Sequence, residues 1–321
     1  MKTVVFFRQS GNNLRLGNTL VWVAAARDWC DRHGFEFCFP AGQRIIGALL
    51  HPDSRLLELP AVVRSSWLAE GPQSPAERVA AVDALLVRLL TTAREMAPRL
   101  GLVPPLVTLV PDAVGCIVDS GGCEWESADV VDFVRAHRAC IVNEPHPFRL
   151  PAPVSAGVLD SLLAPSPETQ AIMAAATAGG GLGIGVHIRQ TDYRRWQHGK
   201  FFRDNHFYNQ FILRTVPLLG PGSRLFVAHD GEFEADPALL AHARVEVSRG
   251  SEAEVMQDFV RFAACDFLVG PQSTFTVQAM KIGNQWLPKQ RDLIHLRPET
   301  TVDSLFSSLR SRLITRSVPC P

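Results

Sequence analysis

The sequence predicts an α/β protein of two domains, each a mainly parallel sheet with helices against its faces. Three observations point there. The 321 residues are enough for two separately buried cores. Strand-like and helix-like segments alternate along the chain. Near its middle, EPHPFRLPAPVSAG (144–157) holds four prolines, which force extended or turn backbone on their neighbours and mark a linker. Residues 1–150 then form an N-terminal domain and 151–321 a C-terminal one.

TVVFF (3–7) reads as a buried strand, followed by the loop RQSGNNLRLGN. TLVWVAAARDWCDRHG has apolar residues at helical spacing and stops on Gly34, and FEFCF supplies the second strand. This β-loop-α-β opening is that of a nucleotide-binding-like domain, although Gly11 and Gly17 are six apart and do not make the G-x-G-x-x-G fingerprint. A helix is predicted over 74–101. Ser74 and Glu77 have capping-box spacing, Pro75 takes the first helical position, and Val79, Val82, Leu86, Leu89, Ala93 and Met96 make one apolar stripe. GCIVD and ACIVN follow as two short buried strands.

In the second half, SPETQAIMAAATAGGG opens a helix with Ser166 and Pro167 and closes it on glycines. Strand 185–189, helix 205–216, strands RLFVAHD and RVEVS, helix 252–264, strand DFLVG and helix 274–282 come next. That alternation argues a parallel sheet covered on both faces.

Composition narrows the function. Thirty-two basic residues balance thirty-two acidic ones, which argues against a dedicated nucleic-acid or anionic-membrane binder. The apolar start is interrupted by Arg8 and no stretch reaches membrane-span length, so a soluble, cytoplasmic protein is expected. Seven scattered cysteines without C-x-x-C spacing indicate reduced thiols and not a disulfide or zinc framework.

The chemistry is expected at the end of the strand GIGVHIRQTDY (183–193). Alternation sends Val186 and Ile188 into a core and His187 and Arg189 to the other side. Arg189 has the planar fork suited to phosphate oxygens, His187 can donate or accept beside it, and Asp192 can hold the guanidinium. An ordinary ion pair at a strand end is the competing reading. In PQSTF, Ser273 and Thr274 stand at a helix N-terminus, where free N–H groups and the helix dipole favour an anion; plain capping is the alternative. Asp258, at the margin of a buried helical stripe, could pair with the N–H groups of guanine or could serve the fold alone. DGEFEAD (230–236) reads as a solvated acidic turn, and HExxH, G-x-S-x-G and P-loop patterns are absent, so no metal site is assigned.

VHIRQTDY resembles the H-x-R-x-x-D/N motif shared by the α1,2-, α1,6- and protein O-fucosyltransferases. LFVAHD (225–230) is similar to that superfamily's strand ending in acids, and QDFVRFAACDFLVGPQSTFTVQA (257–279) to its helix, strand and hydroxyl-bearing turn. LRLGNTLVWVAAA is similar to the opening of the α1,2 branch, to whose bacterial members the pattern comes closest. Thr191 stands where that branch commonly has glycine, Gln190 where it has a second arginine, and Thr19 where it has glutamine.

The resemblance implies a GT-B fold, two Rossmann-like lobes facing a cleft, with GDP-fucose on the C-terminal lobe, a glycan or glycoconjugate acceptor on the N-terminal side, and no metal or other cofactor. It implies an inverting transfer in which Arg189 meets the β-phosphate, with Asp192, Asp230, Asp258, Ser273, Thr274 and Gly17 around the nucleotide sugar. For removal of the acceptor proton the candidates are His187, whose imidazole suits proton transfer, and the N-terminal loop residues Asn12, Asn13 and Asn18, which could orient the acceptor. Asn18 is read as positioning the acceptor, with helix capping as its alternative. A non-catalytic GDP-sugar or glycan binder, and a transferase for another nucleotide sugar, are the rival functions.

Overall fold

The computed structural model describes residues 2–7, 16–39, 63, 75–100, 106–118, 124–143, 165–231, 233–250, 254–287 and 289–317. The chain divides into two compact units, Met1–Ala164 and Pro165–Pro321. The expected linker at 144–157 lies outside the described residues, as do Asn12 and Asn13.

In the first unit five strands run in the order β2-β1-β5-β4-β3. They are β1 (Thr3–Phe7), β2 (Glu36–Cys38), β3 (Leu106–Val110), β4 (Val114–Ile117) and β5 (Ala139–Asn143). All neighbours are parallel except β3 and β4. Val4, Val5 and Phe6 are fully buried, as a parallel strand covered on both faces requires. Helix α1 (Leu16–His33) ends because Gly34 adopts φ 71°, a left-handed turn that costs a glycine little. Helix α2 (Pro75–Leu100) buries Leu86, Leu89 and Ala93 of the predicted stripe, together with Leu85 and Leu90. Helix α3 (Ala128–Ala136) is capped by Ser127.

Two departures stand out. β3 was not foreseen: LVTLV is an edge strand with one face only partly buried, so its pattern is weak. Helix α1 starts at Leu16 and not at Thr19, which puts Gly17 and Asn18 in its first turn instead of in a loop.

The second unit is a five-stranded, wholly parallel sheet in the order β10-β9-β6-β7-β8. Its strands are β6 (Gly183–Ile188), β7 (Arg224–His229), β8 (Val245–Ser248), β9 (Phe267–Pro271) and β10 (Asp292–Leu296). The helices are α4 (Pro167–Thr177), α5 (Asn205–Thr215), α6 (Val255–Ala264), α7 (Thr274–Trp286) and α8 (Val302–Ser317), with a single turn at Pro237–Leu240. Ser166 caps α4 and Asp204 caps α5, as side-chain oxygens placed before helices do.

One face buries Ile184, Val186 and Ile188 with Phe211 and Ile212 of α5 and Leu305, Leu309 and Leu313 of α8. On the other, His187 meets Phe262 of α6 and Phe275 of α7, so the predicted alternation along this strand holds. β10 and α8 lie beyond the last element expected from sequence. Their apolar positions are spaced among polar ones in LIHL and SLFSSLRSRL, which blurs the period.

Among the described residues no helix is long and apolar enough to cross a membrane. Cys30, Cys38, Cys116, Cys140 and Cys265 are buried, and no disulfide joins them among the described residues. Burial pushes Cys116 and Cys265 up to about 12, so neither is a reactive thiolate at neutral pH.

Candidate functional site

In the second unit the strand order reverses between β6 and β9, whose neighbours in sequence lie on opposite sides. Ligands of open parallel sheets bind outside the carboxyl ends of strands at such a reversal. Arg189 follows β6 directly, and Ser273 and Thr274 follow β9, so both sequence-predicted anion elements reach this point.

Arg189 is held along one edge and over one face. Its Nε donates to Asp192 Oδ1 at 2.9 Å and its Nη2 to Asp192 Oδ2 at 2.5 Å, a forked pair. The guanidinium carbon stands 4.6 Å from the centroid of the Tyr193 ring. The arginine side chain is 16% exposed and that of Asp192 41%, so the pair sits at the site's rim with the cation on the inner side.

The turn carrying these residues is fixed from below. Asp230, just past β7, accepts the N–H of Gln190 at 2.8 Å, the N–H of Thr191 at 3.2 Å and the Thr191 hydroxyl at 2.6 Å. Its carboxylate is thus engaged with the turn, a role sequence reasoning did not foresee. Gln190 is buried and its amide donates to Arg203 O at 3.1 Å and Asn205 Oδ1 at 2.9 Å. An arginine in its place would have to bury a charge there.

Ser273 caps α7, accepting the Phe275 N–H at 3.2 Å, and Thr274 is the first residue of that helix. The Tyr193 hydroxyl donates to the backbone carbonyl of Gln272, one residue before Ser273, at 2.9 Å. One buried tyrosine therefore touches the arginine and the hydroxyl-bearing turn at once. It was missed in the sequence, where the only signal is its place four residues after Arg189.

His187 is half-buried, with ring centroids 5.0 Å to Phe275 and 5.9 Å to Phe262. Glycine at 270 makes this possible: a Cβ there would lie 3.0 Å from His187 Cβ and 3.1 Å from its carbonyl oxygen.

Asp258 is 2% exposed. Its Oδ2 accepts the Ser248 hydroxyl at 3.0 Å, and Arg261 Nη1 lies 3.7 Å from Oδ1, which accepts no hydrogen bond among the described residues. Burial pushes the carboxyl up to about 6, against the downward pull of Ser248 and Arg261. A buried acceptor lone pair beside the ends of β7 and β8 fits a donor-rich ligand edge.

Gly17 and Asn18 belong to the first unit, in α1. A cavity of about 410 Å³ lies elsewhere, at the opposite edge of the second sheet, lined by the first residues of β6, β7 and β8. It is not the chemistry described above. No group of three or more His, Cys, Asp or Glu side chains suited to a metal ion occurs among the described residues.

Two α/β units, the second a doubly wound sheet with a preorganised cation and a helix N-terminus at its reversal, define a GT-B-like fold. The chain is similar to several solved structures. POFUT1 in complex with GDP-fucose aligns over 92% of this chain and 98% of its own, at 11% identity and a TM-score of 0.53. The fucosyltransferase NodZ from Bradyrhizobium aligns over 87% and 92%, at 15% identity and a TM-score of 0.45. An alignment to POFUT1 in complex with GDP spans only 61% of that chain and 55% of this one, at 15% identity and a TM-score of 0.40. No protein-family model matches the chain, and no curated protein matches it by sequence.

Proposed function

We propose that this protein is an inverting, metal-independent glycosyltransferase that moves a sugar, L-fucose from GDP-fucose, to a hydroxyl of a glycan or glycoconjugate. The observation that carries this is the joining of Arg189 to the Ser273 turn through Tyr193 at the carboxyl edge of the sheet. The fold likeness to POFUT1, solved with GDP-fucose, supports the choice of donor.

As an acceptor hydroxyl attacks the anomeric carbon, negative charge grows on the β-phosphate. Arg189 and the N–H groups of α7 would meet that charge as donors already in place, the work that a metal ion does in other transferases. Asp258 would accept from guanine N1 and N2. His187, lodged between two phenylalanine rings, would shape the wall of the site and offer one ring nitrogen to the reacting groups.

Thermal unfolding with added nucleotides tests the reading. At about 100 times its dissociation constant, GDP should stabilise the protein by roughly 2.7 kcal/mol, while UDP and ADP at equal concentration should leave it unchanged. Equal protection by all three nucleotides would remove the guanine assignment. Protection by GDP with no release of GDP from GDP-fucose, in the presence of any hydroxyl acceptor, would favour a non-catalytic binder.

A further inference from the structure

We infer that Tyr193 is a positioning residue that presents one edge of Arg189 to the terminal phosphate of the nucleotide; this rests on the proposed function. A guanidinium offers five N–H donors on a rigid plane. Asp192 occupies the side edge, Nε with Nη2, at 2.9 and 2.5 Å. The Tyr193 ring covers one face, its centroid 4.6 Å from the central carbon. What remains is the end edge: Nη1, which makes no hydrogen bond among the described residues, with the outer hydrogen of Nη2.

The ring that covers Arg189 is itself immobilised. Tyr193 is 2% exposed, Trp196 lies against it at 4.8 Å between centroids, and its hydroxyl is spent on Gln272 O at 2.9 Å. Because Gln272 immediately precedes Ser273, the same side chain sets the spacing between the cation and the N-terminus of α7. Two donors whose separation is fixed before the ligand arrives suit a diphosphate, whose charged oxygens have a fixed separation of their own. A flexible arginine would have to be ordered on binding, and part of its interaction would be lost to that ordering.

The readout is the ratio of GMP to GDP dissociation constants, measured by calorimetry on the full chain, because only GDP carries the β-phosphate. Wild type should prefer GDP strongly, and Arg189→Ala should abolish most of that preference. Tyr193→Phe keeps the ring and loses the tether, and should cut the preference about threefold; Tyr193→Leu loses both and should cut it on the order of tenfold. GMP affinity should stay constant throughout, and adding Tyr193→Phe to Arg189→Ala should have no further effect, since the two act as one unit.

A tyrosine that merely supports the fold would weaken GMP and GDP alike, in either background, and that result overturns the inference. An unchanged GMP-to-GDP ratio in Tyr193→Phe does so too, and this variant retains the packing should Tyr193→Leu fail to fold. If wild type binds neither nucleotide, the functional reading itself falls, an outcome distinct from a wild-type preference for GDP that Tyr193 does not influence.

Discussion

Thr191 donates its hydroxyl to Asp230 across 2.6 Å, and the N–H groups of Thr191 and Gln190 point at the same carboxylate. The turn after β6 is therefore built on the end of β7. Replacing Asp230 with Ala strands two backbone donors and should cost about 1–3 kcal/mol of stability, against roughly 1 kcal/mol for Asp230→Asn, which keeps an acceptor oxygen. Urea unfolding measures both. A variant Asp230→Ala that unfolds at the wild-type midpoint yet no longer binds GDP would return this residue to direct nucleotide contact.

Arg189→Ala should fold normally. Its partner Asp192 is 41% exposed, and pairs of that kind are worth only about 0–1 kcal/mol. Turnover should nevertheless fall on the order of 10²- to 10³-fold, the loss typical of one preorganised donor at a developing negative charge. Arg189→Lys should recover little, because a lysine cannot both grip Asp192 through two N–H groups and present a second edge. Release of GDP from GDP-fucose is the assay, and near-normal rates in Arg189→Ala would refute the proposed role.

The pairing of Arg189 with Asp192 could be read from a spacing of three residues, because a short turn can close it locally. The roles of Asp230 and Tyr193 could not. Each depends on a partner far away in sequence, Thr191 for the first and Gln272 for the second, and no periodicity records such contacts. The same holds for the sheet. Strands whose residues are buried on both faces, such as β1 and β5, announce themselves as apolar runs, whereas the half-covered β3 and β10 do not. The start of α1 differs for another reason: LGN reads as loop because glycine is a poor helix former, yet Gly17 lies within the helix.

Gly270→Ala should disturb the wall of the site. The new methyl would meet His187 Cβ at 3.0 Å and its carbonyl oxygen at 3.1 Å, and the backbone of β6 cannot easily retreat because β7 pairs along its far side. Overpacking of this kind costs about 1–3 kcal/mol. The His187 ring should also shift against Phe275, which a change in the histidine's NMR signals would reveal while distant signals stay in place. An unaltered midpoint of unfolding would show that the two strands have room to part.

Asp258 ties stability and binding to pH with opposite signs. Its carboxyl is raised by burial from the ordinary range to about 6, with Ser248 and Arg261 pulling it down and Glu254 and Glu246 pushing it up. In the unfolded chain the same group titrates near about 4. Below that value both states hold the proton and the group's contribution to stability is fully present. As pH rises towards 6 the unfolded chain releases its proton first, so that contribution declines, and above 6 it is gone. Asp258→Asn cannot ionise and escapes the decline, so it should be more stable than wild type by about 1–3 kcal/mol at pH 7.5, with the gap closing near pH 4. GDP binding should behave the other way. An ionised carboxylate is the better acceptor for guanine N–H groups, so wild-type affinity should climb as pH passes 6 and then level off, while Asp258→Asn binds weakly throughout. Unfolding curves at the two pH values and GDP titrations between pH 5 and 8 check both halves. A variant that is less stable at pH 7.5 and still binds GDP like wild type would mean that this buried carboxylate serves the fold and reads no base.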